Sequence, residues 1–297
     1  MRILFTFAGG NGHFEPLVPI AHAAQLAGHT VAVAGQPAMR SIVRGAGFTA
    51  FGTGPDPGGT DRLPLLELCA EREERAVRDG FARRAARRRA SDLLALCAEW
   101  QPDLIVCDEM DFGSVIAAER LGLPHATVLV IAAGSLVRPE LVAEPLNELR
   151  AEHGLPPDPE FAMMHRYLVL SPFPPSFRDP AFPLPATAHS FRPLIPDLPA
   201  KATASPWCTD MPEAPTVYFT LGTEFNMESG DLFARVLAGL RDVPINVPVN
   251  VPINVVVTVG RHIDPADFGP QPTNVHVERY IPQSLVLPPP VVGPAAL

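Results

Sequence analysis

Apolar positions in the first half of the chain follow two alternating rhythms. Ile3 to Ala8 is an apolar run with β character that stops at Gly9, Gly10 and Gly12. Helical spacing follows at Leu17, Ile20, Ala24 and Leu26, with Pro16 where a first helical turn tolerates it. His29 to Gly35 reads as a second strand, Pro37 to Gly45 as a helix ending on glycine, and Phe48 to Phe51 as a third strand. Beyond an irregular loop at Thr53–Gly59, Glu67 to Trp100 predicts one or two helices. Asp103 to Cys107 is a continuous apolar strand, the pattern expected when helices cover both faces of a sheet. A helix over Phe112–Leu121, capped by Gly122 and followed by Pro124, leads to a strand at His125–Ile131. This alternation predicts an α/β fold with a parallel sheet.

The rhythm breaks between Pro139 and Pro215, where prolines crowd. That stretch reads as loop except for strand-like Tyr167–Ser171 and an extended piece at Ala188–Phe191, and Pro196–Met211 reads as a linker. The pattern restarts with a strand at Thr216–Leu221, a helix over Gly230–Leu240, strands at Val255–Val259 and Val275–Arg279, and the start of a helix at Pro282–Leu287. Between them a four-residue unit recurs from Val243 to Asn254 with a proline in each copy, which excludes a central strand and reads as a duplicated surface loop. At 297 residues the chain is expected to hold two doubly wound, Rossmann-like domains. Their expected extents are 1–195 and 216–297, with a linker over 196–215. The second is expected to be incomplete, because a six-stranded sheet of this kind needs roughly 180 residues.

Composition removes several classes. The net charge of −9 argues against a general nucleic-acid binder. Eight arginines between Arg72 and Arg89 are interleaved with Glu71, Glu73, Glu74 and Asp79 and with no aromatic ladder, so they read as a solvated helix face. Cys69, Cys97, Cys107 and Cys208 lack metal or disulfide spacing, so reduced thiols and a cytoplasmic protein are expected. The apolar run after Arg2 lacks the form of a secretory signal, and no stretch approaches the roughly 18 apolar residues of a membrane span.

The candidate chemistry sits on the turns. Gly10-Asn11-Gly12-His13-Phe14-Glu15 supplies GxG but places Glu15 where a dinucleotide fingerprint has its third glycine. The chain has no Walker lysine, HExxH or GxSxG. His13, at the mouth of the first strand, is placed to act as a general base, since an imidazole with a pKa of about 6.5 is mostly neutral at pH 7. A base needs an orienting carboxylate, and Asp108 ends the fourth strand at the same sheet edge, with Asp111 as the rival partner. The structural readings are a turn histidine bonded to backbone and an Asp108 that caps the following helix.

The opening GGNGHFEPLVPIAHAAQLAGHTVAVAG, with WQPDLIVCDEMDFGSVIAAERLGLPH, PTVYFTLGT and NVHVERYIPQSLVLP, resembles GT-B-type nucleotide-sugar-dependent glycosyltransferases. The similarity is to actinobacterial natural-product enzymes that use UDP- or dTDP-sugars, and it covers nearly the whole chain. The resemblance implies a hexosyltransferase that works with inversion, without metal or other cofactor, on a small, largely apolar acceptor. It implies His13 as the base and Asp108 as its partner, with Gly12, Gly222 and Thr223 at the turns near the donor. Tyr280 would stack on the nucleobase, with Ile281 and Gln283 hydrogen-bonding it. The family's HGG(x)GT turn has no counterpart, since PPPVVGPAAL follows Leu287. A C-terminal truncation, with acceptor binding but little or no transfer, is therefore expected. The alternative is a non-catalytic protein that binds a hydrophobic ligand or activates a partner transferase. A homodimer is compatible with either.

Overall fold

The computed structural model describes residues 1–55, 63–67, 69–193, 207, 214–222, 226–241 and 253–287. The chain divides into two compact units, the first formed by Met1–Gly58 and Cys69–Leu194, the second by Gly59–Leu68 and Ile195–Leu297.

The first unit is built on seven parallel strands: β1 (Arg2–Thr6), β2 (Thr30–Gly35), β3 (Thr49–Gly52), β4 (Leu104–Asp108), β5 (His125–Val128), β6 (Leu168–Ser171) and β7 (Ala188–Ser190). Their order is β3-β2-β1-β4-β5-β6-β7, so the direction of winding reverses between β1 and β4. Ligands of open α/β sheets bind at that reversal, outside the carboxyl ends of the strands. Apolar layers cover both faces of the sheet. One joins Ile3, Phe5, Val31 and Val33 to Phe14, Leu17 and Phe48. The other joins Leu4, Ala32, Ile105 and Cys107 to Leu93, Val115, Ile116 and Leu146.

The helices of this unit are α1 (Asn11–Phe14), α2 (Val18–Leu26), α3 (Arg40–Gly45), α4 (Ala70–Arg75), α5 (Ala86–Trp100), α6 (Phe112–Leu121) and α7 (Pro139–Glu152). Gly122 closes α6 in the left-handed conformation, at φ +66°, as its position in the sequence predicted. Between α4 and α5 lies an unexpected element, a π-helix over Ala76–Ala85. A second departure is α7, which occupies residues expected to be loop. Leu141, Val142, Pro145, Leu146 and Leu149 place one buried apolar stripe at helical spacing, with Pro139 in the first turn. Burial of that stripe outweighs the loss of one backbone donor at Pro145.

The second unit holds β8 (Thr216–Thr220), β9 (Asn254–Thr258) and β10 (Val275–Glu278), parallel and ordered β10-β9-β8. Every residue of β9 is buried, as befits the central strand. The helix α8 (Leu232–Arg241) sets Phe233 and Leu237 against Val255, Val257 and Val259. The segment over Pro282–Leu287 is a 3-10 turn at Gln283–Leu285. Nearly all of the linker and of the proline repeat fall outside the described residues.

Candidate active site at the reversal of the first sheet

β1 ends at Thr6, and the glycine turn after it lets a short helix start at once. The Gly10 carbonyl accepts the backbone N–H groups of His13 (3.1 Å) and Phe14 (3.2 Å), which puts His13 in the first helical turn above the strand end. Gly9 is required in this turn. Its φ is +155°, and a Cβ there would lie 2.1 Å from His13 Cδ2. The imidazole thus rests where any larger residue at position 9 would stand.

β4 lies beside β1, and its last residue is Asp108. His13 Nδ1 donates to Asp108 Oδ1 at 3.2 Å. The carboxylate is fully buried, whereas the imidazole keeps 14% of its side-chain surface. Two backbone N–H groups, from Ala8 to Oδ2 and from Met110 to Oδ1, reach the same carboxylate at 2.6 Å each. Three donors fix its orientation. With Nδ1 committed to Asp108, the lone pair of a neutral imidazole is on Nε2, the state in which it can accept a proton.

Asp111, the rival partner, faces elsewhere. It caps α6, accepting from Ser114 N (3.3 Å), and it binds Arg89 through two bonds of 2.7 and 2.5 Å. Ser114 Oγ donates to Asp111 Oδ2 at 2.5 Å, and Thr6 Oγ1 donates to Ser114 Oγ at 2.7 Å. Burial would raise the Asp111 carboxyl, but the Arg89 charge and these hydrogen bonds outweigh it and hold the group below the usual carboxylate range. Arg89 is itself buried and also donates to the Thr53 carbonyl at 3.1 Å. The arginine run is therefore not uniformly a solvated face. Its last member is interior because helical winding turns position 89 toward α6, where Gly113 would meet the Ala86 carbonyl at 2.5 Å if it carried a Cβ.

Between the two aspartates, Glu109 is also buried. It accepts the backbone N–H groups of Val130 (2.6 Å) and Ile131. Burial pushes its carboxyl up to about 7. No local signal marks it: an acidic residue at a strand end looks like any other loop carboxylate.

Gly12 is exposed within α1. The other predicted donor residues belong to the second unit. Gly222 follows β8 at φ +70°, and its carbonyl accepts from Asn226 Nδ2 at 2.6 Å. Thr223 lies outside the described residues. Tyr280 is largely exposed, Ile281 is buried and Gln283 is exposed, all beyond the end of β10. Because β8 and β10 run parallel to β9, Gly222 and the Tyr280–Gln283 segment share one edge of this sheet. Among the described residues, no group of three or more His, Cys, Asp or Glu side chains could hold a metal ion. No helix among them is long and apolar enough to cross a membrane.

Two parallel α/β units match the GT-B architecture of solved glycosyltransferase structures. Known proteins bear this out. A tylactone mycaminosyltransferase of Streptomyces fradiae is 29% identical over 339 residues, covering 97% of this chain and 70% of the relative. An aclacinomycin-T 2-deoxy-L-fucose transferase of Streptomyces galilaeus is 28% identical over 273 residues, covering 75% of this chain and 60% of the relative. The solved structure of the glycosyltransferase VinC in complex with dTDP matches with a TM-score of 0.63 at 26% identity, over 97% of this chain and 74% of that one. No protein-family model matches. The homologues of this chain are thus actinobacterial glycosyltransferases of macrolide and other antibiotic pathways, and the chain spans 60% to 70% of the length of the two relatives described.

Proposed function

We propose that the chain carries the acceptor half of an inverting hexosyl transfer from a dTDP- or UDP-sugar to a hydroxyl of a small, largely apolar natural product. The observation that carries this reading is the Nδ1–Oδ1 contact of 3.2 Å between His13 and Asp108 at the winding reversal. His13 Nε2 takes the proton of the acceptor hydroxyl, and the oxygen attacks the anomeric carbon from the face opposite the phosphate. The bond from that carbon to the phosphate oxygen breaks, and the nucleoside diphosphate leaves with its electron pair. Asp108 stabilises the imidazolium as it forms and needs no proton itself. The Gly222 turn and the Tyr280–Gln283 segment are assigned to the donor, with Tyr280 against the nucleobase and Gly12 at the phosphate end of the glycine turn. The chemistry calls on no metal, because the hydroxyl is activated by a side chain.

The test measures nucleoside diphosphate release from a dTDP-hexose with and without a hydroxylated polyketide acceptor. Release by this chain is expected to be small, to depend on the acceptor and to fall by about 10²–10⁴-fold in His13→Ala. Acceptor-dependent release that survives His13→Ala undiminished would overturn the assignment. Saturable acceptor binding with no nucleotide binding, unaffected by His13→Ala, would favour a non-catalytic binding protein.

A further inference from the structure

The π-helix at Ala76–Ala85 needs an explanation, because so long a run with i→i+5 bonds is rare and such segments cluster at functional sites. Its central residue, Phe81, lies against His13, with ring centroids 6.0 Å apart and ring planes 23° from parallel. Winding sets this direction. Each π-helical residue turns less about the axis than an α-helical one, so an α-helix from Ala70 onward would point residue 81 another way.

The segment is clamped from its other side. Arg83 donates to Glu148 (2.5 Å) and Glu144 (2.7 Å) of α7, and Arg87 at the start of α5 pairs with Glu152 at 2.5 and 3.0 Å. Buried Val77 and Ala82 add apolar contacts to the same core as Leu146 and Leu149. Phe81 is therefore held in place by its neighbours and does not depend on His13 for its position.

Consider what the His13 ring requires. The hydrogen bond to Asp108 fixes one nitrogen, and what packs on the ring face governs rotation about that contact. Gly9 permits close approach along one part of the ring. We propose that Phe81 is a positioning residue for His13: stacked on the imidazole, it blocks the swing and sheds water from the ring, so that Nε2 stays aimed at the acceptor hydroxyl. This inference rests on the reading of His13 as the base only for its last clause. The restraint on the ring stands or falls by itself.

The experiment uses diethyl pyrocarbonate, which acylates accessible neutral imidazole nitrogen, on the full chain without substrates. The rate of modification at His13 is followed by peptide mass spectrometry, with the chain's other histidines as internal controls. Phe81→Ala should speed modification of His13 several-fold and leave the controls unchanged, whereas Phe81→Leu, which keeps an apolar cover, should stay near the parent rate. Phe81→Leu should also move the His13 ring-proton resonances, since it removes the neighbouring aromatic ring current; this readout remains should Phe81→Ala fail to fold. Equal His13 rates in a folded Phe81→Ala, or unmoved resonances in Phe81→Leu, would overturn the proposal. Faster modification together with transfer that ignores His13→Ala would sustain the restraint and sink the general-base reading instead.

Discussion

Asp108 and Asp111 are three positions apart, both wholly buried, and each is paired with a cationic or ionisable partner. Their surroundings send them to different tasks. Asp108 faces a histidine that retains contact with solvent, so a change of charge at the partner is possible there. Asp111 faces an arginine that stays protonated and inaccessible, and the pair ties the loop after β3 to α5 and the start of α6. The lesson is that burial of a carboxylate does not mark function. The titration behaviour of its partner, and whether a reactant can reach that partner, does.

The sharpest way to break this comparison is Asp108→Asn against a change at the other pair. Asp108→Asn leaves His13 without its anion, so any acceptor-dependent transfer should fall by about 10²–10⁴-fold while the melting temperature moves less than in Arg89→Met. Equal losses of activity and stability in Asp108→Asn would erase the distinction.

Arg89→Met should cost about 3–5 kcal/mol in urea unfolding, because it strands the Asp111 charge in the interior. The double change Arg89→Met with Asp111→Leu should recover much of that loss, since a buried pair contributes little beyond its own desolvation. Folded double variant should retain its His13–Asp108 chemistry.

Glu109 gives the smallest effect and the only one that depends on pH. Its folded-state carboxyl is raised from the ordinary 4.5 to about 7 by burial, which the backbone donors of Val130 and Ile131, and more distantly Arg178, only partly offset. The folded state thus holds the proton more tightly than the unfolded state, and ionisation costs stability as pH rises from 4.5 through 7. Glu109→Gln, which can still accept both N–H groups, should match the parent near pH 4.5 and exceed it above pH 7 by on the order of 3 kcal/mol. Unfolding curves at pH 5 and pH 8 check the sign.

Much of the site was legible in the chain. A glycine turn after β1 and a carboxylate at the end of β4 are local signals, and the parallel alternation of strands and helices puts them on one edge. The remainder depended on winding and on neighbours. Arg89 looks like the seven arginines before it until the close approach of α5 and α6 turns it inward. α7 was hidden by its prolines, although its apolar spacing was present throughout. The π-helix has no sequence signature, since the choice between i→i+4 and i→i+5 bonding is made by what packs against the segment.

His13 and Asp108 are 95 positions apart in the chain. Their meeting requires β1 and β4 to pair, and the whole run of β2, β3 and the long helices between them must first be looped out and docked. Contacts of such long range are closed late, after local structure has formed and the entropy of the loop has been overcome. Chemistry at this pair is therefore a reporter of completed topology. Helix content can return to a refolding chain while the proton acceptor still has no partner, and the two signals would separate in time.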